Sequence, residues 1–449
     1  MSRLRSRIAS TPQSSINYPG LIVFALILAL GLAGCAGSSS SASNNPGPAP
    51  GPGGTTPPPG GGGGTPPPPP PPASNPELVY VANAMNDTLS AFQINSSGGL
   101  QPVAGSPLSA APAKSVFLLS GTADGKFLFA SEDAGITGGE ESGVMAWSVN
   151  PGNGKVTPVA GAPFLENPGG AGPRELQVTP NGKFVYVVNI NTDTVAGYAI
   201  NPSSGALTQV PGSPFSVGTT ANNLGCVSCP LGITIHSSGR FVYVANSTAD
   251  SISGFSVDQM TGSLTPVAGS PFVVGPAVGC PPRAIDCDSE VAVSGNFLYF
   301  TNADADSASG RRGAGTSGIF GFNIDPATGS ILPMPGSPFI NNAIGPEQLA
   351  VDRSGKFLYL ANGGSASVSA FAINSLSGAL TMVSGSPFAA GRGTNGLSVD
   401  LSGKFLYATN TGDNTVSGYA INAATGALMR VSGSPFKTGP SPFGVTSLP

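Results

Sequence analysis

From Leu78 to Leu448 the chain sets apolar runs of five or six residues between clusters of Gly, Pro, Asn and Ser. The unit is clearest from Glu175 to Phe215. Glu175-Leu-Gln-Val-Thr179 alternates, Pro180-Asn-Gly-Lys183 turns, and Phe184-Val-Tyr-Val-Val188 is apolar throughout until Asn189 stops it. A polar loop ending in Asp193-Thr194 leads to Val195–Ile200. Asn201-Pro-Ser-Ser-Gly205 then turns the chain into Ala206–Val210, and Gly212-Ser-Pro-Phe215 breaks that run. β-Branched and aromatic runs bounded in this way are strand and turn signals. The second run, apolar on consecutive positions, predicts a strand buried on both faces by neighbouring sheets.

The unit returns seven times. Its second strand ends at Asn83, Glu132, Asn189, Asn246, Asn302, Asn362 and Asn410, in steps of 48 to 60 residues. Self-similarity of this period with four strands per copy predicts an all-β, seven-bladed β-propeller with four-stranded antiparallel blades. The first copy begins at its second strand, Leu78-Val-Tyr-Val-Ala82. The chain finishes with Ser441–Leu448, which matches a first strand and is followed by no second strand of its own. The C-terminal strand is therefore expected to join the N-terminal blade and close the ring, leaving no open inner edge.

Three domains follow. Residues 1–35 predict a lipoprotein signal peptide, with Arg3, Arg5 and Arg7 before the apolar core Leu21–Leu32. Leu32-Ala-Gly-Cys35 resembles the bacterial lipobox, which implies lipidation of Cys35 after cleavage. Ala36 after that Cys implies an outer-membrane lipoprotein of the cell envelope, facing the periplasm or the surface. Residues 36–76 are Ser-, Pro- and Gly-rich without apolar periodicity, which predicts a disordered linker acting as a stalk. Residues 77–449 are the propeller.

The chain carries 18 basic and 22 acidic residues; without the three leader Arg, 15 basic residues face 22 acidic ones. That balance and the lack of a basic stripe exclude a nucleic-acid surface. Four further cysteines, Cys226, Cys229, Cys280 and Cys287, sit in loops before two first strands, and in an exported chain they predict two disulfides of open connectivity. No cofactor motif occurs. The acidic groups Glu132, Asp133, Glu140, Glu141 and Asp304, Asp306 offer oxygen ligands of the kind Ca²⁺ takes but match no defined calcium loop, so solvated loops are expected ahead of a calcium site and no metal is assigned.

Chain direction sorts the loops onto two rims. Elaboration concentrates on one: 132–142, 216–230, 273–283 and 302–317. Variable loops on a rigid scaffold are where binding is usually built. On that rim Arg174, Glu175, Arg283 and Glu347 stand at first-strand entries as candidate catalytic groups, with Arg392 and Lys114 as candidate ligand-binding groups. Arg supplies a fork for carboxylate, phosphate or a polarised carbonyl. His236, the only imidazole, is placed in the slot of Pro180 and Arg353, in a turn on the plain rim.

Gly182-Lys-Phe-Val-Tyr-Val-Val-Asn189, with copies at 239–246 and 403–410, resembles the YVTN-type repeats of the seven-bladed lactonase propellers. That group includes cycloisomerase-type 6-phosphogluconolactonases and muconate-lactonising enzymes. The Asn-x-x-[Ser/Thr]-Gly-x-Leu turns and Gly-Ser-Pro-Phe endings are similar too. The resemblance spans Leu78–Leu448 and implies carboxylic-ester hydrolysis by a His, Arg and Glu set around the channel mouth. Here Arg174, Glu175 and Arg283 match the charged roles, and no His lies on that rim. Two functions follow as expectations: a lactonase-like hydrolase of an extracytoplasmic sugar lactone, or a non-catalytic propeller binding carbohydrate or envelope protein. A monomer is expected, held to the membrane through Cys35.

Overall fold

A computed structural model describes residues 76–132, 143–165, 172–218, 229–247, 249–274, 289–302, 305–306, 311–312 and 318–449. The chain divides into units 1–69 and 70–449, and every described residue belongs to the second. The leader, the linker, Arg283, Cys226, Cys280 and Cys287 lie outside the described residues.

Seven antiparallel sheets are built alike. In blade 3 the order from the centre outward is Pro173–Val178, Phe184–Asn189, Thr194–Ile200, then Leu207–Gln209. Blades 2 and 4 to 7 begin with inner strands Val116–Gly121, Pro230–Ile235, Ser289–Ser294, Pro346–Val351 and Thr394–Val399. In blade 1 the inner strand is Pro442–Leu448. It pairs antiparallel with Leu78–Asn83, Val81 opposite Val445 and Leu78 opposite Leu448. Its side chains complete two cores, Leu448 packing toward blade 2 and Val445 toward blade 7. The ring closes where the terminal repeats predict.

The fourth strand differs from expectation. It is two pieces, such as Leu207–Gln209 and Phe215–Ser216, both paired with the third strand across the Gly-Ser-Pro segment. That segment kinks the strand without ending it. The Ser213 hydroxyl accepts the third-strand Gly197 N–H at 3.0 Å, and Ser106, Ser270, Ser337, Ser386 and Ser434 do the same in their blades. The hydroxyl supplies the partner that the kinked backbone withholds from a buried donor.

Second strands are buried along their length, as consecutive apolar positions require. Their terminal Asn fastens the next strand. Asn246 donates to Ser251 and Ser253, and Asn410 to Thr415 and Ser417. Their central Tyr joins one blade to the next. The hydroxyls of Tyr80, Tyr186, Tyr243, Tyr299, Tyr359 and Tyr407 donate to the carbonyls of Gly154, Gly262, Gly329, Gly378, Gly426 and Gly98, at 2.7 to 3.1 Å. Tyr407 to Gly98 runs from blade 7 to blade 1 and so latches the closure.

Blade 2 carries Phe129 at that position, fully buried, so its seam with blade 3 lacks the hydroxyl. Phe129→Tyr should place a hydroxyl against the Gly205 carbonyl and raise stability by about 1 kcal/mol, the worth of one net buried hydrogen bond. Denaturant titration checks this; a lower midpoint would mean that the repeat geometry does not extend to this seam.

Candidate functional site

The innermost strands present a free edge to the channel, and six of the seven carry a β-bulge near their entry. In blade 3, Pro173 faces Asn189 and Leu176 faces Val187, so Arg174 and Glu175 together oppose one residue. The same shift occurs at Phe117-Leu118, Leu231-Gly232, Glu347-Gln348, Asn395-Gly396 and Phe443-Gly444. Blade 5 pairs without it, and Glu290 faces Thr301 directly. A bulge re-aims side chains. Here it turns two neighbouring residues of one strand to different tasks.

The first bulge residues build the mouth. The Arg174 guanidinium lies over the Phe117 ring, 5.6 Å from its centroid. Phe117 meets Phe443 edge to face at 5.5 Å. On the other side Asn395 Nδ2 donates to Glu347 Oε2 at 2.9 Å, and Glu347 is buried, 7% exposed. A cation on an aromatic face and a carboxylate held by an amide thus stand on neighbouring bulges around the entry.

The second bulge residues build the interior. Glu175 Oε2 accepts the Ile233 N–H of blade 4 at 2.7 Å, and Gln348 Nε2 of blade 6 donates to Glu175 Oε1 at 3.2 Å. Gln348 Oε1 accepts the Leu397 N–H of blade 7 at 2.8 Å. Burial pushes the Glu175 carboxyl up to about 7, against the pull of the Ile233 and Gln348 hydrogen bonds. Removal from water disfavours the charged form, and only part of that loss is returned by the donors. One layer further in, Gln177 accepts the Ile235 N–H and Ser120 the Val178 N–H. Side chains of one blade therefore satisfy the unpaired inner edge of the next.

Of the expected site residues, Arg174, Glu175 and Glu347 share this bulge layer. Lys114 is exposed just outside blade 2, and its backbone N–H donates to Glu132 Oε1 at 2.6 Å. Arg392 is exposed and is held by Asp413, Nε to Oδ1 at 2.7 Å, outside the inner strand that follows it. The Arg392 backbone and side-chain hydrogen bonds hold the Asp413 carboxyl below its ordinary value. Among the described residues no group of three or more His, Cys, Asp or Glu could hold a metal ion.

His236 lies on the plain rim as expected but one position earlier in the turn, which corrects its slot. Its N–H donates to Phe241 O, as Thr179 N–H does to Phe184 O and Asp352 N–H to Phe357 O. It therefore matches Thr179 and Asp352, not Pro180 and Arg353. Its Nδ1 meets the Ser238 hydroxyl at 2.8 Å and its ring packs edge-on against Phe241. A cleft of about 190 Å³ also opens on that rim between blades 2 and 3, lined by Thr122, Asp124, Phe127, Pro180, Asn181 and Ile200. Its one ionisable group, Asp124, is engaged by Thr122 and Lys126.

Sequence reading missed Glu290, Gln348, Asn395 and the Phe117–Phe443 pair. A signal existed. The residue just before the matching aliphatics Leu119, Leu176, Ile233, Val291, Leu349, Leu397 and Val445 of the inner strands is Leu118, Glu175, Gly232, Glu290, Gln348, Gly396 or Gly444. Aligning that column alone would have gathered the three polar ones.

Known proteins resemble this chain in sequence and fold. It is 35% identical to the 6-phosphogluconolactonase of Bacillus subtilis (strain 168) over 96 residues, 21% of this chain and 26% of that protein. It is 27% identical to the 6-phosphogluconolactonase of Pectobacterium carotovorum subsp. carotovorum (strain PC1) over 165 residues, 37% of this chain and 42% of that protein. The matches thus span well under half the length of these curated relatives. The periplasmic gluconolactonase of Pseudomonas aeruginosa superposes with a TM-score of 0.62 at 16% identity, covering 83% of this chain and 99% of that one, a likeness of fold. The model of the family described as lactonase, 7-bladed beta-propeller matches residues 73–229, 219–318, 282–394 and 319–446, and the chain belongs to that family.

Proposed function

We propose that this propeller hydrolyses a sugar lactone outside the cytoplasm, held to the outer membrane through lipidated Cys35 on the stalk of residues 36–76. The arc Arg174–Phe117–Phe443, with Glu347 and Asn395 on neighbouring bulges, carries the reading. A lactone ring has an apolar C–H face that suits aromatic edges and a carbonyl that takes hydrogen bonds. Arg174 would polarise that carbonyl, and Glu347 would guide the water that adds to it as the ring C–O bond breaks. The names of the curated relatives, and of the Pseudomonas aeruginosa periplasmic gluconolactonase, support a lactone and an exported setting. Two disulfides among Cys226, Cys229, Cys280 and Cys287 belong to the same proposal, as do the roles of Arg283, Lys114 and Arg392.

The test is a panel of aldonolactones. Arg174→Ala should lower kcat/KM about 100-fold or more, the loss expected when a donor to a developing oxyanion is removed. No turnover by the unmutated protein across the panel would remove the hydrolase. The placement of His236 on the plain rim, bonded to Ser238, favours a second reading. In it the same mouth binds a carbohydrate or envelope protein without turning it over, and lactone binding without hydrolysis would select it.

A further inference from the structure

The bulge layer commits its backbone donors within the protein. The N–H groups of Leu118, Glu290 and Gly396 go to the hydroxyls of Ser131, Thr301 and Thr409 at 3.3, 3.3 and 2.8 Å. Those of Ile233 and Leu397 go to Glu175 and Gln348 at 2.7 and 2.8 Å. Free backbone N–H groups are what ordinarily cradle a phosphate, and these five are taken. Charge runs the same way. The seven inner strands carry three carboxyl groups, Glu175, Glu290 and Glu347, and one guanidinium, Arg174. That guanidinium lies on the Phe117 ring, and Arg392 outside gives its Nε and backbone N–H to Asp413. We propose that the mouth selects a neutral, polyhydroxylated ring and rejects its phosphorylated counterpart, a selection that rests on the sugar-lactone reading of this site and narrows it.

The ligand chemistry follows from what the layer still offers. Asn395 gives its amide nitrogen to Glu347, and among the described residues no donor takes its oxygen. That oxygen and the carboxylates are acceptors, and a sugar hydroxyl is a donor that answers them. The Phe117 and Phe443 rings add an apolar wall for the C–H face of the ring. A phosphoryl group brings acceptor oxygens and about −1.5 to −2 charges. It would stand among three carboxyls with a single guanidinium to offset them, and like charges at short range in a partly dry site repel strongly.

The test is equilibrium binding of a matched pair to the full-length chain: 1,5-anhydro-D-glucitol and its 6-phosphate, neither of which has a lactone bond to open. At about pH 8, above the Glu175 value, the neutral probe should bind at least about 10-fold more tightly. Raising ionic strength from about 0.01 to 0.1 M shortens the screening length from about 30 to 10 Å and should narrow that preference. Glu290→Gln removes a charge and keeps the bulk, so it should narrow the preference about threefold or more. A 6-phosphate that binds as well as the neutral probe or better would overturn the selection. So would a preference that salt leaves unchanged, which is the mark of a steric cause, or binding of neither probe. The two readings fail separately. Preference for the neutral probe with no turnover of any aldonolactone removes the hydrolase alone, whereas turnover that favours a phosphorylated lactone removes this selection alone.

Discussion

Gly262→Ala should destabilise the propeller by about 3–6 kcal/mol, measured as a fall in the denaturant midpoint at unchanged slope. Gly262 closes the turn after the third strand of blade 4 at φ +77°, a left-handed conformation. An added Cβ would meet the Phe184 ring of blade 3 at 2.5 and 2.6 Å and Val210 at 2.9 Å. Both belong to the core between these blades. The left-handed backbone costs about 1–2 kcal/mol, overpacking adds about 1–3, and displacing the carbonyl that Tyr186 donates to forfeits about 1 more. Gly182 is the internal control. It has φ +67° with no other atom within 4 Å of an added Cβ, so Gly182→Ala should show the backbone cost alone. Equal losses at the two sites would mean that the seam yields to the extra methyl.

The same contact explains why the architecture was legible in the sequence. A Phe opening a second strand packs on the glycine of the next blade's turn at Phe127–Gly205, Phe184–Gly262, Phe241–Gly329, Phe297–Gly378, Phe357–Gly426 and Phe405–Gly98. One seam geometry repeated around the ring leaves one residue pattern repeated along the chain. Strand order, closure and the two rims could be counted from that pattern, because each depends on contacts within a repeat or between successive repeats.

The site was legible only in part, for a physical reason. Arg174, Glu175 and Glu347 stood out as charges beside strand entries. Their partners lie across the channel, Gln348 being 173 residues from Glu175, and no local period links them. Which of two adjacent residues faces the mouth and which the interior is decided by a bulge that adds one residue to the inner strand. Blade 5 omits that residue, so simple counting drifts there. Arg392 stands just before its inner strand, whereas Arg174 lies within one, and Asp413 in the neighbouring turn captures it. Counted back from the turn glycine, His236 precedes Gly239 as Thr179 precedes Gly182, and its backbone N–H donates to Phe241 O as that of Thr179 does to Phe184 O, which fixes its slot.

Ending the chain after Ser441 should have the largest effect. It removes the inner strand that pairs with Leu78–Val81, the Leu448 and Val445 side chains that complete two cores, and the Phe443 ring beside Phe117. Thr409 and Thr411 lose the Phe443 and Pro442 carbonyls to which their hydroxyls donate. Burying one large aliphatic side chain contributes about 1.5–3 kcal/mol, and domains have only about 5–15 kcal/mol in all. The truncated chain should therefore lack a cooperative transition and should self-associate through its open sheet edge. The decisive measurement is thermal unfolding of that truncated protein with and without a synthetic peptide of residues 440–449. Closure of the ring by the C-terminal strand predicts loss of the transition and its recovery when the peptide is added. A truncated chain that melts at the temperature of the full chain, indifferent to the peptide, would contradict it.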